Sequence, residues 1–283
     1  TTSGARGYRG RTFALVTWHD KQRAIAPALR QRLDADLVVV DDFDTDQLGT
    51  FTRDIERSGT QLEAARRKAM VAIERGHALG LGSEGAFVPG PFGIGSHDVE
   101  MIVLVDAAAG IEVVGRAFEP GRHTHGVVAS LHELAEVARR AGFPDHGLVV
   151  RPDDEHHPHV HKGLRTEAAL HEAFAAALRT SRTGRVFVES DLRAHHNPTR
   201  MAAIARAAVD LADRLACHCA SCGTPGFGFV GRLPGLPCRW CGTPTNEPLA
   251  DAYACVRCDH RETRPKTDGD ATADPGRCDV CNP

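Results

Sequence analysis

Two carboxylates, Glu63 and Glu84, frame a stretch in which Arg66, Arg67 and Lys68 supply positive charge (residues 59–87, GTQLEAARRKAMVAIERGHALGLGSEGAF). Carboxylate oxygens are hard ligands that suit magnesium, an ion that keeps several waters and bridges to phosphate. Glu63 and Glu84, with Asp44 or Asp46 as a further ligand, would hold such an ion. It would polarise a phosphoryl group and orient or activate an attacking water. Lys21 and Lys68 would neutralise the phosphate charge. Spacing allows Glu63 another use, a pair with Arg67 at i,i+4 on a solvated helix face. Glu84 is read into a glycine loop directly after a buried strand, where α/β proteins bind ligands.

A second polar group sits at residues 191–200, where Asp191, Arg193, His195, His196, Asn197 and Arg200 crowd a strand-to-helix turn. Helix N-termini attract anions, and arginine grips phosphate or carboxylate with two parallel hydrogen bonds. Arg193, His195, Asn197 and Arg200 are therefore candidate substrate-binding residues. Lys162, with Arg165, is a candidate for the same role at the start of another helix. A capped turn with exposed histidines is the plainer alternative. His156, His157, His159 and His161 have side chains that take transition metals. With no carboxylate visible to orient them, a solvated loop is the simpler reading. No Gly-x-Ser-x-Gly elbow and no Walker loop is present.

Eight of the nine cysteines form four CxxC pairs. Each such turn offers two thiolates on one side, and two turns complete the closed tetrahedron of structural zinc. Cys219, Cys222, Cys238 and Cys241, then Cys255, Cys258, Cys278 and Cys281, have zinc-ribbon spacing and imply two zinc ions in a reducing compartment. Sequential ribbons fit the gaps best, because thirteen residues separate Cys241 from Cys255. A cross-braced arrangement, first pair with third and second with fourth, stays open. Residues 217–283 hold seven Lys or Arg against eight Asp or Glu, so the tail lacks the basic surface that binds nucleic acid. With little apolar core, it would draw much of its folding energy from metal.

The elements that must position these groups follow from periodicity. A short apolar run (RTFALVTW), an amphipathic helix over 19–33 and the strand LVVV read as strand, helix, strand, hence a parallel α/β arrangement. Pro27 inside that helix removes a hydrogen bond. A loop dense in Asp and Thr, including Thr50 and Thr52, leads to a helix over 60–77 with Leu62, Ala65, Ala69 and Ile73 on one stripe. A strand at 78–81, a glycine loop at 82–96 and a hairpin over 97–106 and 111–118 come next. Helices at 131–141, 166–179 and 198–215 alternate with strands at 147–150 and 185–189. Asn197 before Pro198 is a strong helix start. Three parts follow: a flexible leader at 1–10, an α/β domain with a mixed sheet flanked by helices at 11–216, and a zinc module at 217–283. The net charge of -3 does not suggest nucleic acid or membrane as a partner. No run of about 18 apolar residues predicts a membrane helix.

Two resemblances attach to these motifs. DTDQLGTFTRDIER, SEGAF, KGLR, DLRAHHNPTRM, the CxxC pairs and the closing CNP resemble a bacterial family known only as a domain of unknown function. In the front part, VTWHDK (Thr17, Lys21), EAARRKA (Glu63, Lys68, Ala69) and GSEGAF (Glu84, Gly85) follow one another in the order seen in the inosine-triphosphate pyrophosphatase and Maf-like superfamily. That resemblance implies an ITPase-like fold and magnesium-dependent hydrolysis of a nucleotide-like or other phosphorylated small molecule. Thr17 and Lys21 would then hold phosphate, with catalysis at Lys21, Glu63, Lys68 and Glu84. The expected setting is the cytoplasm, with no nucleic-acid or membrane partner and self-association left open. The competing expectation is a non-enzymatic zinc-ribbon adaptor or ligand-binding protein.

Overall fold

The computed structural model describes residues 7–48, 59–90 and 95–283. Thr50, Thr52 and most of the DTDQLGTFTRDIER segment lie outside the described residues, as do residues 1–6 of the leader and the Asp46 side chain. Of the remaining leader, Tyr8 is buried and the Gly10 N–H donates to the Leu33 carbonyl at 3.0 Å. The chain forms two compact units, one spanning Arg9–Ala212 and the other taking in Asp213–Pro283.

The larger unit contains two sheets. The first is built from β1 (Thr12–Val16), β2 (Asp36–Val40), β3 (Leu79–Pro89), β4 (Ser96–Asp106) and β5 (Ile111–Gly121) in the order β2-β1-β3-β4-β5. β1 runs parallel to β2 and β3, while β3, β4 and β5 form an antiparallel meander, so the sheet is mixed. Helices α1 (Gln22–Leu33) and α2 (Gln61–Glu74) connect the parallel strands. Pro27 stands inside α1 on its exposed face, where water can take up the freed carbonyl. The second sheet, unlike the single sheet expected, contains β6 (His125–Val128), β7 (Leu148–Pro152), β8 (His161–Leu164) and β9 (Val186–Ser190) in the order β6-β9-β7-β8. Helices α3 (Leu131–Ala141) and α4 (Glu167–Thr180) bring Leu134, Val137, Leu170 and Phe174 into one core with Leu148, Val150, Val186 and Val188 of this sheet. The long α5 (Pro198–Ala216) follows β9.

Periodicity misplaces one boundary. The acidic glycine loop expected from Gly82 onward is the middle of β3, buried from Leu79 through Gly85. Glycine normally weakens a strand, but here it removes a layer of side chains. A Cβ on Gly80 would stand 2.1 Å from the Ala69 carbonyl oxygen, and one on Gly82 would stand 1.9 Å from that of Ala65. The small-residue stripe of α2 thus lies directly on the β3 backbone. Gly82→Ala is expected to force helix and strand apart, at a cost on the order of 3 kcal/mol. Urea unfolding of the full chain measures it, and an unchanged midpoint would contradict this packing.

The smaller unit is a three-stranded antiparallel meander, β10 (Gly228–Pro234), β11 (Pro248–Ala254) and β12 (Arg261–Pro265), with CxxC turns at its two ends.

Candidate functional site

Strand order reverses at β1. The chain passes from β1 through α1 to β2, then crosses back through α2 to β3 on the other side of β1. Right-handed crossovers place the two helices on opposite faces. The carboxyl ends of β1 and β3 meet at this reversal, the position where open α/β sheets bind ligands.

Charged side chains collect there. Lys21 ends the β1–α1 turn, buried, and its ammonium donates to the Ser83 carbonyl at 3.0 Å and to Ser83 Oγ at 3.3 Å. Burial, then the positive charges of Lys68 and Arg200, bring its pKa down to about 7. Glu84 lies on the strand face that α2 covers, and its Oε2 accepts from Lys68 Nζ at 2.5 Å, both groups being buried. Gly85 pairs with Glu100 of β4. A Cβ at Gly85 would lie 2.3 Å from Arg200 Nη2 and 2.5 Å from Glu100 Oε1, so the glycine makes room for an ion pair. In that pair Arg200 Nε meets Glu100 Oε1 at 2.6 Å, with side chains 1% and 0% exposed, and Arg200 also donates to the Leu192 carbonyl. Asp98 sits two residues before Glu100 on the same face of β4 and is equally buried. Burial, then the neighbouring Glu100 charge, push its carboxyl up to about 7. Three cations and three carboxyl groups are thereby sequestered around β3 and β4.

Beside this group lies the start of α5. Asn197 caps that helix, its Oδ1 accepting from the Arg200 N–H at 3.0 Å. The His195 ring stacks on His19 at 5.0 Å and lies 4.0 Å from the His196 ring. Burial, then Lys21, lower His19 to about 3, and burial lowers His196 to about 4, so both imidazoles are neutral at pH 7. His195 lines an open cleft of about 470 Å³ together with Asp20, Arg23, His146, Arg165 and Met201. Thr17 is buried, its hydroxyl accepting from the His19 N–H at 3.2 Å.

Other residues expected at the site are engaged elsewhere. The Glu63 reading is corrected: its carboxylate accepts from the Thr60 N–H at 2.7 Å and the Thr60 hydroxyl at 3.0 Å, completing a capping box on an exposed turn of α2. Those backbone and hydroxyl donors hold its pKa below the usual carboxylate range. Asp44 is half-buried just before a short 3₁₀ turn (Thr45–Leu48). Arg193 spends its fork on Asp191, with Nε to Oδ1 at 3.0 Å and Nη2 to Oδ2 at 2.6 Å. Asp191 also accepts from the Gly163 N–H at 3.0 Å, which ties the 191–197 turn to β8, where Lys162 is half-buried. Among the described residues no histidine joins a group of three or more converging metal-type ligands.

Asp98 and Glu100 escape the sequence reading. Their signal is nonetheless present in HDVEMIVLVD. Asp98 and Glu100 continue, at period two, the stripe that Ile102 and Leu104 bury, and acids on the core stripe of a strand are anomalous.

The cysteines of the smaller unit converge in two groups of four: Cys219, Cys222, Cys255 and Cys258, and Cys238, Cys241, Cys278 and Cys281. This is the cross-braced arrangement and corrects the preference for sequential ribbons. The meander imposes it. β10 leads from the first CxxC turn to the second, β11 runs back to the third, and β12 runs forward towards the fourth. Odd and even turns therefore gather at opposite ends of the sheet. Sulfur separations of 3.7 Å (Cys219–Cys258), 3.6 Å (Cys222–Cys255), 3.9 Å (Cys238–Cys281) and 3.6 Å (Cys241–Cys278) are far longer than a disulfide. They match the edge of about 3.8 Å of a tetrahedron with Zn–S bonds of about 2.3 Å. Each group suits one metal ion, and the all-sulfur donor set is consistent with zinc. Cys217 is exposed and lies outside both groups.

No helix among the described residues is long and apolar enough to cross a membrane. No curated protein and no solved structure matches the chain. Residues 67–283 match the family described as a domain of unknown function, DUF6671, a span that begins within α2 and takes in Lys68, Glu84, Asp98, Glu100, Arg200 and all eight clustered cysteines. The chain belongs to the DUF6671 family.

Proposed function

We propose that this protein is a magnesium-dependent hydrolase of a phosphorylated, nucleotide-like small molecule, with two structural zinc ions holding its tail. One observation carries the reading: beyond the end of β1, where strand order reverses, the buried Lys68–Glu84 pair lies on one face of β3 and the buried Arg200–Glu100 pair with Asp98 on the other, with Lys21 within electrostatic reach of both. Charges buried at such density are costly to fold around, and groups with displaced pKa values cluster where chemistry is done. The nearby cleft sets Arg23 and Arg165 beside Asp20 and Asp145 and opens at the first turn of α5, whose backbone N–H groups suit an anion. In this reading those groups draw in the phosphate and Lys21 neutralises its charge. The Lys68–Glu84 pair holds a carboxylate in place beside the bound ester. Magnesium, when bound, would supply Lewis-acid polarisation of the phosphoryl group. The order Thr17, Lys21, Lys68, Glu84 supports an ITPase-like relationship, and the paired cysteines favour a reducing, cytoplasmic setting. A nucleotide panel with magnesium tests the reading, and Glu84→Gln and Lys21→Met are each expected to lower turnover at least about a hundredfold. Absence of both turnover and magnesium-dependent binding for every phosphate compound would overturn it.

A second reading, a docking adaptor, is favoured by Trp240, which is 75% exposed between Cys238 and Cys241, with Val280 exposed in the other turn of the same metal group.

A further inference from the structure

The buried carboxyl groups of this site are unequally satisfied. Glu84 is paired with Lys68, and Glu100 Oε1 is held by Arg200. By contrast, both oxygens of Asp98 and the Oε2 of Glu100 are buried with no hydrogen-bond donor. The residues are 1% and 0% exposed. A buried carboxylate without a partner is among the most costly groups a protein can hold. Asp98 and Glu100 are neighbours at i and i+2 on one strand face, which brings their carboxyl groups together.

We propose that Asp98 and Glu100 form a site for a hard divalent cation, magnesium or manganese, bound by the two Asp98 oxygens and Glu100 Oε2. Carboxylates alone are the donor set of these ions, which fill their remaining positions with water or a ligand oxygen. A single proton shared by the pair would satisfy fewer of the three oxygens than a cation does. Arg200 acts as a positioning residue, because by fixing Oε1 it turns Oε2 towards Asp98. Gly85 belongs to the same device, since any side chain there would collide with Glu100 and Arg200. This assignment moves the metal from the carboxylates expected from the sequence, Glu63, Glu84 and Asp44, to a pair on β4. It deepens the proposed hydrolase, on which it rests for the phosphate ligand but not for the metal.

The test is manganese titration of the full, zinc-loaded chain without nucleotide, followed by the loss of the free Mn²⁺ electron-paramagnetic-resonance signal. One site is expected on the wild type. Asp98→Asn should weaken it on the order of a hundredfold or more, since changes merely behind metal ligands already cost 10–100-fold. Glu63→Gln should leave it unchanged. Asp98→Asn keeps the side-chain shape and removes a buried charge, so a circular-dichroism melt at or above that of the wild type will confirm that it is folded. Wild-type protein that binds no manganese below millimolar concentration, or Asp98→Asn protein that binds as tightly as wild type, overturns the proposal. Manganese binding without turnover of any phosphate compound would refute the hydrolase and leave this site standing. Turnover with no manganese binding would do the reverse.

Discussion

The double variant Cys222→Ser/Cys255→Ser will retain one zinc ion, whereas Cys222→Ser/Cys241→Ser will retain none. The first pair of substitutions falls within one tetrahedron, the second in both. Sequential ribbons predict the opposite result for each. Structural zinc contributes on the order of 10–16 kcal/mol in small zinc domains at neutral pH. The tail has only a three-stranded meander to set against the entropy of its ordering. Losing both ions should therefore unfold residues 213–283, and losing one should free the strand ends at that side of the sheet. Metal analysis of the purified variants gives the stoichiometry, and hydrogen exchange shows which turns open. Equal zinc content in the two variants would rule out the cross-braced assignment.

Arg200→Met is expected to cost about 3–5 kcal/mol of stability, because it leaves Glu100 buried and uncompensated. It also removes a donor from the Leu192 carbonyl. Arg200→Met/Glu100→Leu should recover much of that loss, since two packed apolar side chains are often as good for stability as a buried pair. Urea unfolding of the wild type, both single variants and the double variant forms a thermodynamic cycle. Additive losses would mean that the pair does not behave as a unit. Recovered stability without recovered activity would show that the charges are kept for chemistry.

Much of the framework was legible because it rests on short-range rules. The period of α2, the Asn197–Pro198 start of α5 and the apolar run of β1 each follow from local physics. Residue type and the order of the motifs singled out Lys21, Lys68, Glu84 and Arg200, and all four are buried. Most of the failures share a cause, a partner remote in sequence. Gly80 and Gly82 read as a loop until Ala65 and Ala69 are seen to press on them. Glu63 is the exception, because Thr60, three residues earlier, claims it in a local capping box. The zinc pairing looks sequential until strand direction is known, because a gap length does not say which way the chain returns. Asp98 and Glu100 were overlooked because their anomaly is one of burial, which only pairing with β3 and β5 makes definite.

The bare contact between α2 and β3 also bears on how firmly the charged groups are held. An ordinary helix–sheet interface has a cushion of side chains whose rotamers can absorb a displacement of an ångström. Here carbonyl oxygens of the helix rest against Cα atoms of the strand, and hard-sphere contact between main chains has almost no such give. Lys68 and Glu84 are mounted on the two surfaces in contact, so their spacing is indexed by the backbone rather than by packing. Changes in core volume elsewhere should move helix and strand together as one stiff body. The pair would keep its geometry while its surroundings adjust, which is the rigidity that a preorganised electrostatic site requires.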